Sequence, residues 1–153
     1  MTSDGAAPFV PDDFVVPLSL VTEAFRLEPL GPEHNEADYA AWHSSIEHIR
    51  STPGMQGRSW PRPEMTLDDN LKDLQGHARD FANRTGFTYT VRDTGTGEII
   101  GCVYIYPWKK EPGTRILSWV RADRASLDAP VYEAVSEWLR TTWPFTSFAY
   151  APR

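Results

Sequence analysis

Cysteine, lysine and long apolar runs are all scarce in this 153-residue chain. Its single cysteine, Cys102, excludes an internal disulfide bond, and four scattered histidines without a Cys-x-x-Cys motif predict no metal site. No apolar run approaches about 20 residues and the first basic residue is Arg26, so we expect neither a membrane span nor a secretion signal. These absences favour a cytoplasmic protein.

Positive charge is scarce as well. Against 21 acidic residues the chain has 15 basic ones, which gives a formal net charge of −6. A negatively charged surface repels phosphate backbones and anionic lipids, so we expect neither nucleic acid nor a membrane as a partner. Most of the basic residues are arginine, which pairs well with carboxylates and phosphates, so a small-molecule ligand, including an anionic one, is compatible with the composition.

Strand-like and helix-like patterns alternate along the chain. They predict strands at 24–30, 87–92, 99–106, 115–120 and 145–150, and helices at 32–50, 67–81 and 128–143. The order β-α-α-β-β-β-α-β predicts an α/β domain with a mixed, mostly antiparallel sheet flanked by helices on both faces. We expect the last strand to run parallel to the one before the last helix. Residues 1–17 are predicted to be a flexible arm, and 18–153 a single domain.

Three strings carry a family resemblance: FRLEPLGPEHNEADYAAW near the start, FTYTVRDTGTGEIIGCVYIYP at the centre, and ILSWVRADR after it. Their content and order resemble the GCN5-related N-acetyltransferase (GNAT) superfamily, particularly its ribosomal-protein N-acetyltransferase-like branch. The resemblance covers about residue 18 to the end of the chain. It implies a truncated member, without the usual last helix and two strands that close the acceptor site.

The resemblance also implies a donor site for acetyl-CoA or another acyl-CoA. In the family, one strand offers backbone groups to the pantetheine arm, and a glycine-containing turn wraps the pyrophosphate. The matching donor-site positions in this sequence are Trp119, Val120, Arg121, Arg124 and Ser126.

The turn itself, residues 121–130, departs from the family pattern. It contains no glycine, and Pro130 lacks a backbone N–H donor. Asp128 is placed to cap the following helix, where its carboxylate would repel a diphosphate. The sequence therefore predicts weak CoA binding. Arg121 and Arg124 are anion-binding candidates, with pairing to the nearby aspartates as the alternative.

Polar side chains of the central strands and the first helix are candidates for catalysis. Tyr104 and Tyr106 share a strand face with Cys102, Ser118 lies on the next strand, and His43 is at the edge of a helix. The resemblance implies an acceptor or ligand pocket lined by Met55, Arg58 and Trp60, with a loop packed down by Trp60 as the alternative. Cys102 is a further candidate for this pocket because of its place on the strand face. The alternatives are that the tyrosines are core residues, that Cys102 is an inert apolar side chain, and that His43 is structural.

Three hypotheses for function remain open. The first is acyl transfer from acyl-CoA to a small-molecule or peptide amine. The second is a GNAT-like protein without acyl transfer, either a small-ligand binder or a homodimeric interaction module. An aromatic edge strand, Phe145–Tyr150, would join two copies unless the N-terminal arm covers it. The third is new chemistry in the same cleft through Tyr104, Tyr106 or Cys102.

Overall fold

A computed structural model describes residues 7–153 and contains one six-stranded sheet whose strands lie in sequence order. The strands are β1 (Leu20–Val21), β2 (Phe25–Pro29), β3 (Phe87–Asp93), β4 (Ile99–Pro107), β5 (Thr114–Val120) and β6 (Ala149–Tyr150). The first five pair antiparallel, and β6 pairs parallel to β5. The mixed sheet and the direction of its last strand confirm the predicted fold class.

Four α-helices and two 3₁₀ turns accompany the sheet. They are α1 (Asn35–His43), α2 (Ile46–Ser51), α3 (Leu67–Ala82) and α4 (Asp128–Thr142), with the 3₁₀ turns at Pro32–His34 and Ala122–Leu127. Side chains of β4 alternate between two cores, so Val103 packs with α4 whereas Cys102 packs with α1 and α3. The helices therefore cover both faces of the sheet.

The first predicted helix is broken in two. The periodicity predicts one helix over 32–50, but α1 ends at His43 and α2 begins at Ile46. The Ser44 hydroxyl donates to the Ala41 carbonyl at 3.0 Å, and the Ser45 hydroxyl accepts from the Ala122 N–H at 2.8 Å. Serine side chains that bond backbone groups in this way compete with helix continuation, which accounts for the break.

Part of the segment predicted to be a flexible arm, 1–17, contacts the core, and its flexibility stays a prediction. Residues 1–6 lie outside the described residues. Beyond them Phe9, Phe14 and Val16 pack against the core and Val10 is only 1% exposed, whereas Val15 is exposed. Arg84 donates to the carbonyls of Pro11 and Phe14 at 2.7 and 3.0 Å. Apolar contacts that are distant in sequence therefore hold this segment.

The final strand is shorter than predicted, because only Ala149–Tyr150 pairs with β5. Phe145 instead packs on Phe9 at 5.1 Å and on Trp143 at 5.8 Å between ring centroids. Residues of the N-terminal segment thus cover part of the aromatic edge. The homodimer through Phe145–Tyr150 stays a prediction. Within residues 7–153, no helix is both long and apolar enough to cross a bilayer.

Candidate functional site

A cavity of about 490 Å³ opens on the sheet face covered by α1 and α3. Helix α3, strands β4 and β5, and the loop 52–66 form its walls. Its polar lining includes Asp38, Asp73, His77, Asp80, Tyr104 and Tyr106. The cavity is of the size that holds a small molecule, and its lining carries charged groups of both signs, since Arg58 and Arg115 also belong to it.

Helix α3 supplies three of these polar groups through its periodicity. Asp73, His77 and Asp80 are spaced by four and then three residues, so they lie on one face of the helix. The start of α3 is fixed by Thr66, whose hydroxyl accepts from the Asp69 N–H while Asp69 accepts from the Thr66 N–H. This polar stripe was not predicted, although the spacing of its three residues in the sequence indicates it.

Asp80, Tyr106 and His77 form a hydrogen-bonded chain in the cavity. The Tyr106 hydroxyl donates to Asp80 Oδ2 at 2.8 Å and lies 2.9 Å from His77 Nδ1. Burial raises the pKa of Tyr106 and lowers the pKa of His77, and the nearby carboxylates of Asp73 and Asp80 only partly offset the latter. Tyr106 is thus an uncharged link between a carboxylate and a neutral imidazole.

A second polar chain lies at the other side of the cavity. The Trp42 indole N–H donates to Asn70 Oδ1 at 3.0 Å, and Asn70 Nδ2 donates to Asp38 Oδ2 at 3.1 Å. Asp38 is only 4% exposed. Burial raises the pKa of Asp38 to about 6, against the smaller opposing effect of the Asn70 hydrogen bond. The carboxyl is therefore mostly ionised at neutral pH and protonated in mild acid.

The raised pKa of Asp38 predicts an unusual pH dependence of stability. The folded state binds this proton more tightly than the unfolded state, so the carboxyl destabilises the fold increasingly as pH rises from about 4 to about 6. We expect Asp38→Asn to gain stability relative to the wild type over that window and to hold the gain above it. Urea unfolding at a series of pH values measures the difference.

Asp69 provides the opposite control for this measurement. The Thr66 N–H lowers the pKa of Asp69, so this carboxylate stabilises the fold above its ordinary pKa, and the contribution is lost in acid. Asp69→Asn should therefore lose stability at neutral pH and approach the wild type as pH falls. If the Asp38→Asn difference had the same sign of pH dependence as the Asp69→Asn difference, the assignment of Asp38 would be wrong.

The candidate residues of strand β4 have different environments. Tyr104 and Tyr106 line the cavity, and the Tyr104 hydroxyl accepts from the Trp119 indole N–H at 2.9 Å. Cys102 is fully buried behind them, and burial raises the pKa of its thiol well above the usual range. Cys102 is therefore a core side chain and not part of the cavity wall, contrary to the prediction.

Three predicted pocket residues do meet in the cavity. Met55, Arg58 and Trp60 line it from the loop 52–66. The Trp60 ring lies 5.4 Å from Trp42 and 6.1 Å from Trp119, so aromatic packing holds the loop against the sheet.

His43 and Ser118 lie outside this cavity. His43 stacks on Tyr39, and its Nε2 lies 3.2 Å from the Pro63 carbonyl, so it supports the loop from behind. Ser118 pairs in register with Val103 and so lies on the α4 side of the sheet, where its hydroxyl is 2.6 Å from that of Tyr150. The side-chain alternation of β5 separates Ser118 from the cavity.

The arginines of the turn after β5 are engaged by neighbouring carboxylates. Arg121 donates to both oxygens of Asp123 at 2.9 Å and to Glu98 at 3.0 Å. Arg124 lies 3.5 Å from Asp93. Arg121 and Arg124 therefore pair with neighbouring carboxylates, which was the alternative to binding an anionic ligand. Ser126 is exposed in the 3₁₀ turn, whereas Trp119 and Val120 are fully buried.

The end of β5 carries a buried ion pair that the sequence did not predict. Arg153 Nε donates to Asp128 Oδ2 at 2.6 Å, and Arg153 Nη2 donates to the Ser118 carbonyl at 2.8 Å. The Arg153 side chain is 3% exposed. The predicted helix cap is wrong, since Asp128 makes no capping hydrogen bond to α4. A buried guanidinium offers the carboxylate a charge-assisted partner instead.

Solved structures share this architecture at low sequence identity. The ribosomal-protein-S5-alanine acetyltransferase from Vibrio fischeri is 15% identical, with a TM-score of 0.62 over 81% of this chain and 68% of that one. RimL, a ribosomal L7/L12 α-N-protein acetyltransferase in complex with coenzyme A, is 13% identical, with a TM-score of 0.61 over 81% and 67%. The chain has the GNAT fold.

A third solved structure of similar architecture covers slightly more of this chain. A GCN5-related N-acetyltransferase from Brucella melitensis is 15% identical, with a TM-score of 0.63 over 85% of this GNAT-fold chain and 57% of that one. No protein-family model matches the sequence, and no curated protein matches it. The predicted resemblance is thus confirmed at the level of the fold.

The residues at the expected donor position do not fit an acyl-CoA. In this GNAT fold the Arg153 guanidinium lies against the edge of β5 and donates a hydrogen bond to the Ser118 carbonyl, which is then not free to bind a donor molecule. The following turn has no glycine, and carboxylates already neutralise both of its arginines. A diphosphate would find few free donors in this turn.

Gly86 is required for the position of Tyr106. A Cβ atom on Gly86 would lie within 2.6 Å of three Tyr106 ring atoms. We expect Gly86→Ala to displace this ring, break its bonds to His77 and Asp80, and destabilise the fold by about 1–3 kcal/mol. Urea unfolding measures the loss.

Gly76 is the matched control on α3, since the nearest atom to a Cβ there is 3.7 Å away. Gly76→Ala should stabilise the fold by about 0.5–1 kcal/mol, because alanine loses less backbone entropy in a helix. A stabilising Gly86→Ala would refute the crowding at Tyr106.

Proposed function

We propose that this GNAT-fold protein binds a small organic amine in the cavity between α3 and the sheet. One observation carries the proposal: Asp38, Asp73 and Asp80 line the cavity, and none forms a salt bridge within residues 7–153. Asp38 is buried, Asp80 is half-buried and Asp73 is exposed. Carboxylates gathered at one cavity without a cationic partner favour a ligand that brings the positive charge.

The remaining lining suits the body of such a ligand. Trp60 offers an aromatic face, and Leu74 and Leu117 add apolar contacts. Arg58 also lines the cavity, as an exposed side chain of the loop 52–66. Aromatic rings attract a neighbouring cation, and burial of the ligand's hydrocarbon part against apolar walls lowers the free energy of binding. Arg115 also lines the cavity, but its guanidinium lies over the Trp108 ring at 5.2 Å. The favoured ligand is therefore an ammonium group attached to an apolar or aromatic body.

Calorimetric titration with three matched probes tests the proposal. 2-Phenylethylamine carries the ammonium group, 2-phenylethanol is its neutral counterpart, and 3-phenylpropionate reverses the charge. We expect only the amine to bind, because the carboxylates favour a cation and repel an anion. Equal binding of the three probes, or no binding by the amine, would refute the proposal.

Asp73→Asn supplies the protein control for this titration. Removing one of three carboxylates should weaken the binding of 2-phenylethylamine about tenfold, by loss of a charge-assisted hydrogen bond. Asp68 lies on the same helix in its exposed first turn and does not line the cavity. Asp68→Asn should bind the amine like the wild type, and an equal loss in both variants would indicate a general effect of net charge.

Acyl transfer from an acyl-CoA to the bound amine is a second candidate function. It is favoured by the structural neighbours, which are acetyltransferases, one of them solved with coenzyme A. The proposal requires Arg153 to leave the edge of β5. Thiol release from acetyl-CoA in the presence of amines tests it, and we expect activity only in a variant such as Arg153→Ala. Thiol release by neither protein would refute this second candidate.

A further inference from the structure

The hydrogen-bonded chain in the cavity determines which nitrogen of His77 carries a proton. Tyr106 has one hydroxyl proton and two neighbours that could accept it, Asp80 Oδ2 at 2.8 Å and His77 Nδ1 at 2.9 Å. A carboxylate is the stronger acceptor and offers no proton of its own, so Tyr106 donates to Asp80. The Tyr106 oxygen can then only accept from His77, which places the imidazole proton on Nδ1.

The surroundings of His77 agree with a neutral ring in this tautomer. Thr88 Oγ1 lies 3.1 Å from the same nitrogen and offers a second acceptor for its proton. Burial lowers the pKa of His77, so the ring is uncharged at neutral pH. The bond made by one imidazole nitrogen fixes the state of the other, and Nε2 is left with a free lone pair.

The Nε2 atom is available to a ligand. No residue of the described chain hydrogen-bonds to it, and it is not among the buried polar atoms that lack a partner. His77 lines the cavity and packs against Tyr104 at 5.6 Å between ring centroids. An acceptor therefore stands beside the carboxylates Asp73 and Asp80 on the same helix face.

We infer that His77 Nε2 accepts a hydrogen bond from the ligand, so that the cavity selects primary and secondary ammonium groups over quaternary ones. The inference rests on the proposed amine binding and names the class of amine. Carboxylates and aromatic rings attract any organic cation, but only an N–H donor can also satisfy a neutral imidazole nitrogen. His77 is thus a specificity-determining residue of the cavity.

Nitrogen-15 NMR of the histidine rings tests the tautomer without a ligand. We expect His77, assigned by its loss in His77→Phe, to show a protonated Nδ1 and an unprotonated Nε2 at neutral pH. Tyr106→Phe removes the nearer of the two acceptors of this proton and leaves only Thr88 Oγ1, so it should shift the ring partly toward the other tautomer. A protonated Nε2 in the wild type would overturn the inference.

Binding of two cations tests the selectivity. The probes are 2-phenylethylamine and its N,N,N-trimethyl derivative, which keeps the charge but has no N–H donor. His77→Phe keeps a ring against Tyr104 and removes both nitrogens. We expect it to weaken binding of the primary amine about tenfold and to leave binding of the quaternary ion unchanged.

The outcomes separate the two proposals. An equal loss of both cations in His77→Phe would indicate a structural role for the ring and overturn the inference alone, leaving amine binding intact. Failure of 2-phenylethylamine to bind the wild-type protein would overturn the proposed function itself, and binding of the quaternary ion as tight as that of the primary amine would overturn the inference alone. Tyr106→Phe, which retains His77, should reduce the preference for the primary amine in the same direction and supports the inference if His77→Phe does not fold.

Discussion

Arg153→Ala is expected to unfold roughly 6–12 °C below the wild-type protein, a loss of about 3 kcal/mol. The guanidinium is 3% exposed, bonds Asp128 Oδ2 at 2.6 Å, and donates to two carbonyls, those of Ser118 and Ala151. Its removal leaves the Asp128 carboxylate partly buried and without a cation among residues 7–153, within which Asp128 Oδ1 already has no hydrogen-bond partner. An uncompensated buried charge is among the most costly defects of a core.

Arg140→Ala is the matched control for this experiment. Arg140 pairs with Glu137 at 3.3 Å, but both side chains are more than half exposed. A surface pair of this kind contributes less than about 1 kcal/mol, so the control should melt close to the wild type. Thermal unfolding of both variants measures the contrast. If Arg153→Ala melted like Arg140→Ala, the buried ion pair would not form in solution.

The same variant also tests the edge of β5 as a donor site. Without the guanidinium the Ser118 carbonyl loses its partner and the edge becomes accessible. We expect coenzyme A to raise the melting temperature of Arg153→Ala and not that of the wild type, with ATP as a control for phosphate binding. If coenzyme A, but not ATP, raised the melting temperature of the wild-type protein, Arg153 would not block the site.

Trp42→Ala is expected to destabilise the protein by about 3–5 kcal/mol. The ring is completely buried between Tyr39 and Trp60, at 5.0 and 5.4 Å between centroids. Truncation leaves a cavity and removes the donor to Asn70 Oδ1, the residue that orients Asp38. Urea unfolding measures the stability. Calorimetry with 2-phenylethylamine should show a parallel loss of affinity, because one carboxylate is no longer held in place.

Trp42→Phe is a smaller truncation at the same position. Phenylalanine keeps a six-membered ring but loses the pyrrole part of the indole together with its N–H donor. A cost of about 1–2 kcal/mol is therefore expected for the smaller lost volume and the unpaired Asn70 Oδ1 together. A loss in Trp42→Phe as large as that in Trp42→Ala would show that the hydrogen bond, and not packing, dominates at this position.

Much of the fold was predictable because its signals are local. The hairpin of β3 and β4 follows from two β-rich segments around the Asp-Thr-Gly-Thr-Gly turn, and α3 follows from its Thr66 cap and apolar stripe. Met55, Arg58 and Trp60, which the resemblance implies as pocket residues, line the cavity, and their role in binding stays a prediction. The break at Ser44 and Ser45 was missed because it depends on a contact with Ala122, 77 residues away.

The amino-acid sequence by itself determined the order and type of most elements, since capping, turn chemistry and apolar periodicity act over a few residues. Tertiary structure alone decided the chemistry of the site. Tyr106 meets His77 across 29 residues, and Arg153 meets Asp128 across 25. No local pattern encodes such pairs, because they exist only once the sheet and its helices have packed. The same packing placed Ser118 and Tyr104 on opposite faces of the sheet.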